Sequence, residues 1–355
     1  MTLAQLSQAI DCDLHPDPPR RADLIPYLDA YWRDTVMTRD VDRLDLTSFP
    51  SNATPSRRPD WIPREGESAP DRVRRHVLDR FDLRYAILNC LHGAMVMYND
   101  HFAGALASAV NQWIAHEWLD RDSRLRASIT ISLQDPERAA EEVARWAADP
   151  RFVQVLVLAG GEMPLGRKYY WPIWRAAERA GLAVGIHAGS SYRHAPTQSG
   201  FPSYYVEDYV GQMQGLGAQL LSFIAEGVFV AFPALRVVLI ESGVTWLPAF
   251  MWRLTKDWRG VRTEIPWIKD TPATVIREHV RLTAQPFDTP PDPADLARIL
   301  DHLGSDDMLL FATDYPHWQF DGDAVLPPGI PERLNDRMLA KNALETYPRL
   351  RESGG

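Results

Sequence analysis

Five side chains of the kinds that bind metal ions recur along this sequence in one repeating context. Asp13 and His15 close the stretch Ile10-Asp-Cys-Asp-Leu14, and His187 closes Leu182-Ala-Val-Gly-Ile186. Glu241 closes Leu235-Arg-Val-Val-Leu-Ile240, and Asp314 follows Met308-Leu-Leu-Phe-Ala-Thr313. Each apolar run has the length of a buried strand. Carboxylates and imidazoles at the ends of separate strands can converge on one divalent cation. At the first position, strand alternation puts Asp11, Asp13 and His15 on one face and Cys12 and Leu14 on the other. One polar residue at a strand end is ordinary. Four unrelated strands that all finish in Asp, His or Glu predict a shared metal site, with Asp11 one step deeper and structural.

Convergence needs strands whose ends meet at one rim. The pattern supplies them. Strands are predicted at 10–15, 85–91, 125–133, 152–158, 182–187, 235–241, 280–283 and 308–313. Helices are predicted at 101–120, 135–148, 170–180, 208–229, 246–259, 294–303 and 332–347. Asp135 before Pro136 reads as a helix N-cap, and Gly181 as a helix stop. The strands are near-continuous apolar runs, as in parallel sheets buried on both faces. Eight strand-helix steps predict an α/β fold, a (β/α)8 TIM barrel, over residues 1–355 as a single domain. A long loop insertion follows strand one, at 20–71, with one helical piece at 22–36. Its aromatic residues Trp32, Phe49 and Trp61 suggest an ordered flap.

The bulk numbers narrow the function classes. A net charge of -9 argues against a protein that tracks nucleic-acid phosphates. The two cysteines, Cys12 and Cys90, are too few for a disulfide framework. No secretory signal or bilayer-length apolar stretch is evident, so the chain reads as a cytoplasmic protein without membrane partners.

Several motifs together resemble the amidohydrolase superfamily, in the amidohydrolase-related branch that includes aminocarboxymuconate-semialdehyde decarboxylase. They are the Asp13-x-His15 pair, Leu182-Ala-Val-Gly-Ile-His187-Ala-Gly, Phe232-Pro-Ala-Leu-Arg-Val-Val-Leu-Ile-Glu241-Ser-Gly-Val-Thr-Trp246-Leu-Pro, Phe311-Ala-Thr-Asp314-Tyr-Pro-His317 and Asn342-Ala-Leu-Glu-Thr-Tyr347. The resemblance implies a metal held by Asp13, His15, His187 and Asp314, with Asp314 also accepting a proton. Asp13 stands where the family usually has histidine. Glu241 stands where many members have histidine on strand six, and could bind a second metal, orient water or pair with an arginine. Strand four offers no counterpart to the bridging residue of two-metal members. One ion is therefore the default and two the alternative, with Glu241 and His187 as the added contacts. Zinc is the expected ion, with manganese or iron(II) as alternatives.

The resemblance implies hydrolysis of an amide, ester, thioester or related carbonyl bond by a metal-activated water, with Asp314, His187 and Glu241 as catalytic residues. The rival is non-oxidative decarboxylation or hydration of an aromatic or unsaturated acid at the same metal. A non-catalytic barrel subunit is the alternative of another class. For the small-molecule substrate, His92, His194, Trp246, His317 and Arg193 are candidate contacts. Tyr204, Tyr205 and Tyr209 are expected near the mouth. That aromatic cluster equally suits subunit packing, so a homodimer or higher homo-oligomer is expected.

Overall fold

The computed structural model describes residues 8–42, 57–191, 194–320 and 326–352. Eight parallel strands make one sheet in the order β1-β2-β3-β4-β5-β6-β7-β8. They are β1 (Ile10–Leu14), β2 (Tyr85–Leu88), β3 (Leu125–Thr130), β4 (Phe152–Gly160), β5 (Ala183–Ser190), β6 (Val237–Ile240), β7 (Val280–Thr283) and β8 (Leu309–Leu310). Sequential neighbours in space are what a (β/α)8 barrel requires. The strand residues are almost all buried, in keeping with their uninterrupted apolar runs.

The seam between β8 and β1 is bridged by backbone hydrogen bonds just beyond β8. Cys12 N donates to Phe311 O at 2.9 Å, Asp314 N to Asp13 O at 3.1 Å, and His15 N to Tyr315 O at 2.8 Å. The register of β1 against β2 shifts between Asp11 and Leu14. Such an irregularity re-aims side chains near a barrel rim. Here Ile10 and Cys12 belong to an apolar cluster with Ile87, Val238, Ile240 and Leu310, while Asp13 and His15 both turn to the mouth.

Helices cover the outside. Asp135 caps Pro136–Trp146 as expected, its carboxylate accepting from Arg138 N at 3.1 Å. Tyr205–Ala225 starts earlier than the sequence pattern indicates, because the Glu207 carboxylate accepts from Tyr204 N at 2.7 Å and closes the first turn there. A helix at Pro272–His279, capped by Thr271, escapes the apolar pattern altogether.

The expected helical piece at 22–36 is two short helices, Arg21–Leu24 and Ala30–Thr38, separated by a tighter turn at Ile25–Tyr27. Trp32 stacks on Phe102 at 5.0 Å, so this piece packs on the helix Asp100–Ile114. Phe49 lies outside the described residues. Trp61 is fully buried, 4.8 Å from Tyr315. Arg57 pairs with His317 in an isolated bridge, and Arg58 N donates to Pro316 O. The chain at 57–61 therefore lines the loop that follows β8. Among the described residues no helix is long and apolar enough to cross a membrane.

Candidate metal centre at the barrel mouth

Six acidic and imidazole side chains meet at the C-terminal rim. Asp13 and His15 come from β1, His187 from β5, Glu241 from the end of β6, and Asp314 and His317 from the loop after β8. His15 Nε2 lies 3.5 Å from Asp13 Oδ1, 3.3 Å from Glu241 Oε1 and 3.2 Å from Asp314 Oδ1. His187 Nε2 lies 3.4 Å from Glu241 Oε1 and 3.9 Å from Asp13 Oδ1. His317 Nδ1 lies 2.6 Å from Asp314 Oδ1 and 3.7 Å from Glu241 Oε1. These form two overlapping donor groups, Asp13-His15-His187-Glu241 and His15-Glu241-Asp314-His317.

The ligand tautomers are set by backbone carbonyls. His15 Nδ1 donates to Asn89 O at 3.1 Å and His187 Nδ1 to Ala188 O at 2.5 Å. Each ring then presents the Nε2 lone pair to the centre, the form a metal needs. Five atoms of these residues are buried without a hydrogen-bond partner: Asp13 Oδ2, His15 Nε2, His187 Nε2, Glu241 Oε1 and Asp314 Oδ2. Buried polar atoms are normally paired, and three carboxylates this close repel one another. A divalent cation satisfies both demands, so the donor set fits a metal ion.

Electrostatics without a cation reflect the crowding. Burial pushes the Asp13 carboxyl up to about 6, against the pull of His15 and His187. Burial also pushes Asp314 up, but His317 and His15 outweigh it and hold this carboxyl well below its usual range. For His15, burial lowers the proton affinity, yet Asp13, Asp314 and Glu241 raise it well above the ordinary imidazole value.

Backbone conformation is unusual at two of the carboxylates. Glu241 has φ +56° and Asp314 φ +52°, in the left-handed region. For a residue with a side chain this costs about 1–3 kcal/mol, and such strain gathers at functional sites. Glu241 N is held by the Thr283 hydroxyl at 3.1 Å. Asp11 holds the other side. Its Oδ1 accepts from Asp13 N (3.1 Å) and Thr313 N (3.0 Å), and its Oδ2 from the Thr313 hydroxyl (2.6 Å). Asp11 thus clasps β1 to the segment that carries Asp314. Asp11→Asn leaves one of these donors without an acceptor. It should destabilise the fold by about 1–3 kcal/mol, read from urea unfolding; an unchanged midpoint would exclude the clasp.

Other expected contacts lie elsewhere. His92 is buried and its Nδ1 accepts from Ala94 N at 3.1 Å, capping the turn Gly93–Val96; it is outside the donor groups. Burial pushes His92 down to about 4. His194 is exposed on the loop beyond β5, also outside them. Arg193 lies outside the described residues. Trp246 is half-buried against Phe250, with ring centroids 5.3 Å apart. Tyr204 points outward, whereas Tyr205 and Tyr209 are half-buried with rings 5.4 Å apart. Burial and the nearby Glu241 and Asp314 carboxylates push both phenols up, Tyr205 to about 12. This tyrosine pair therefore stands near the donor cluster. His76 is buried with Nδ1 3.2 Å from the Tyr315 hydroxyl.

The amidohydrolase family pattern matches residues 10–349 of this chain. The chain belongs to the amidohydrolase family. Gamma-resorcylate decarboxylase of Rhodococcus jostii is 30% identical to this amidohydrolase over 172 residues, covering 45% of this chain and 51% of the relative. The match thus spans about half of that relative's length. Among solved structures, 5-carboxyvanillate decarboxylase from Sphingomonas paucimobilis superposes with a TM-score of 0.65 at 21% identity, over 96% of this chain and 99% of that one. Dihydroxybenzoic acid decarboxylase from Polaromonas, with bound manganese and the inhibitor 2-nitroresorcinol, gives 0.64 at 19% identity over 96% and 97%. At these identities the superpositions speak for the barrel fold.

Sequence reasoning missed Asn89 in this amidohydrolase. It follows β2 and touches both first-strand members of the cluster, through its carbonyl to His15 and through its amide to Asp13 Oδ1 at 2.8 Å. Its one visible signal was a polar residue ending an apolar run, the same signal that marked the ligands.

Proposed function

We propose that this amidohydrolase is a metal-dependent, non-oxidative decarboxylase of a small aromatic carboxylic acid. The observation that carries the reading is the 30% identity to a gamma-resorcylate decarboxylase, in a chain whose donor cluster fits a divalent cation. The relatives favour this reaction over the hydrolysis expected from the sequence. Three carboxylates beside imidazoles make an oxygen-rich set that suits Mn2+ as well as Zn2+, and a neighbouring fold holds manganese.

Asp13, His15, His187 and Asp314 would hold the ion, with Glu241 beside them. When bound, the cation supplies the positive charge that orients a substrate carboxylate and an adjacent oxygen and draws electron density from the ring. In the reaction the ring-to-carboxylate bond breaks, its electron pair stays on the ring carbon, and carbon dioxide leaves. A proton must then reach that carbon. His317 is placed to carry it: burial lowers its proton affinity, but Asp314 at 2.6 Å raises it overall. The tyrosine pair supplies aromatic surface beside the cluster.

The test is incubation of the manganese-loaded protein with gamma-resorcylate, 5-carboxyvanillate and related hydroxybenzoates in oxygen-18 water, beside a panel of esters and amides. Carbon dioxide release with no label in the aromatic product is expected. Turnover confined to esters or amides, with label incorporated, would replace the proposal with hydrolysis.

A further inference from the structure

A chain of side-chain hydrogen bonds runs through the barrel interior to Asp13. Tyr347, just past the helix Asn342–Thr346, is fully buried among Ile10, Tyr85, Val153 and Ala183, residues in the first two positions of their strands. It therefore enters at the end opposite the metal centre. Its hydroxyl donates to Gln154 Oε1 at 3.0 Å. Gln154 Nε2 donates to Ser128 Oγ at 2.9 Å, the Ser128 hydroxyl to Asn89 Oδ1 at 2.6 Å, and Asn89 Nδ2 to Asp13 Oδ1 at 2.8 Å. Every donor points the same way, and each link fixes the orientation of the next amide.

The barrel is shaped around this line. A Cβ on Gly185 of β5 would stand 2.5 Å from the Gln154 amide, so glycine at that position leaves the room Gln154 occupies. Packing alone does not call for these groups, since apolar side chains of similar volume would fill the interior without buried polar atoms to satisfy. The consequence falls on Asp13. The oxygen that Asn89 holds, Oδ1, is the one that lies 3.5 Å from His15 Nε2 and 3.9 Å from His187 Nε2, while Oδ2 is buried without a hydrogen-bond partner. Partners that orient a ligand typically change metal affinity about 10- to 100-fold, and aligned hydrogen bonds strengthen one another.

We propose that Tyr347, Gln154, Ser128 and Asn89 are positioning residues, a relay through which docking of the C-terminal segment at one end of the barrel sets the metal affinity of Asp13 at the other. The relay rests on the reading of the cluster as a metal centre, not on which substrate it serves.

The experiment is titration of the metal-free protein with Mn2+, without substrate, followed by the electron paramagnetic resonance of free and bound ion. Tyr347→Phe, which removes one hydroxyl, should weaken binding several-fold, and Gln154→Leu about tenfold, with an altered bound-ion spectrum. Gly185→Ala, which displaces Gln154, should match Gln154→Leu. The control is Asn111→Ala. Asn111 is equally buried and hydrogen-bonded, to Thr130 O and Glu142, but stands off the line. It should lower stability and leave Mn2+ affinity unchanged. Equal affinities in all variants, or an equal loss in the Asn111 control, would overturn the relay while the metal centre stands. No Mn2+ binding by the unsubstituted protein would remove the metal centre and the relay together.

Discussion

Asp314→Asn should lower kcat by about 10³-fold at saturating metal while the fold persists. Asparagine is the substitution that isolates the charge. It is nearly isosteric, and it tolerates the left-handed backbone that Asp314 adopts at φ +52°. The backbone bond from residue 314 to Asp13 O survives, and an amide oxygen still accepts from His317. What disappears is the negative charge that raises the proton affinities of His15 and His317. Steady-state kinetics with added Mn2+, beside unfolding curves, separate the two effects. An active variant within about tenfold of the parent would show that this carboxylate is not part of the machinery.

Removing the metal should abolish turnover and weaken the fold. Asp13, Glu241 and Asp314 each approach His15 Nε2 within 3.2–3.5 Å, and carboxylates crowded this closely away from water are costly without a cation. Mn2+ restored at 100 times its Kd should return about 2.7 kcal/mol of stability, measured by urea unfolding with and without chelator. Protons should move as well. Without the cation, the Asp13, Asp314 and Glu241 carboxylates raise the proton affinity of His15 above the ordinary imidazole value. A ligand must present a lone pair, so uptake expels roughly one proton per ion. As pH falls through about 6, Asp13 also takes up a proton, and more must be displaced. Affinity should therefore drop on the acid side and proton release should fade on the alkaline side. Calorimetry in buffers of different ionisation enthalpy reads this directly. Uptake without proton release would remove His15 from the ligand set.

The barrel and its rim were legible because both rest on local pattern. Each strand is an apolar run, and Asp13, His15, His187, Glu241 and Asp314 interrupt such runs at their ends. His317 was visible too, three residues past Asp314, although its place inside the cluster was not. What stayed hidden depends on geometry between distant elements. Gln154 sits within Phe152-Val-Gln-Val-Leu-Val-Leu158 as one polar residue in a core strand. Only the crossing from β4 to Tyr347 gives it a purpose. The tautomers of His15 and His187 are set by backbone carbonyls, which every residue type offers. Glu241 is not a residue that announces a positive φ. Beyond the helical piece at 22–36, the segment from 20 to 71 carries no periodicity to read, and its described parts divide between the helix Asp100–Ile114 and the loop after β8.

The seam between β1 and β8 also has a temporal side. Asp11 and Thr313, which clasp it, stand 302 residues apart along the chain. Closing so long a loop is the slow, entropically costly event in assembling a barrel. Until it closes, Asp13 and His15 have no Asp314 beside them. A cation held by both ends of the chain would therefore need the closed ring, and would act as a latch on it.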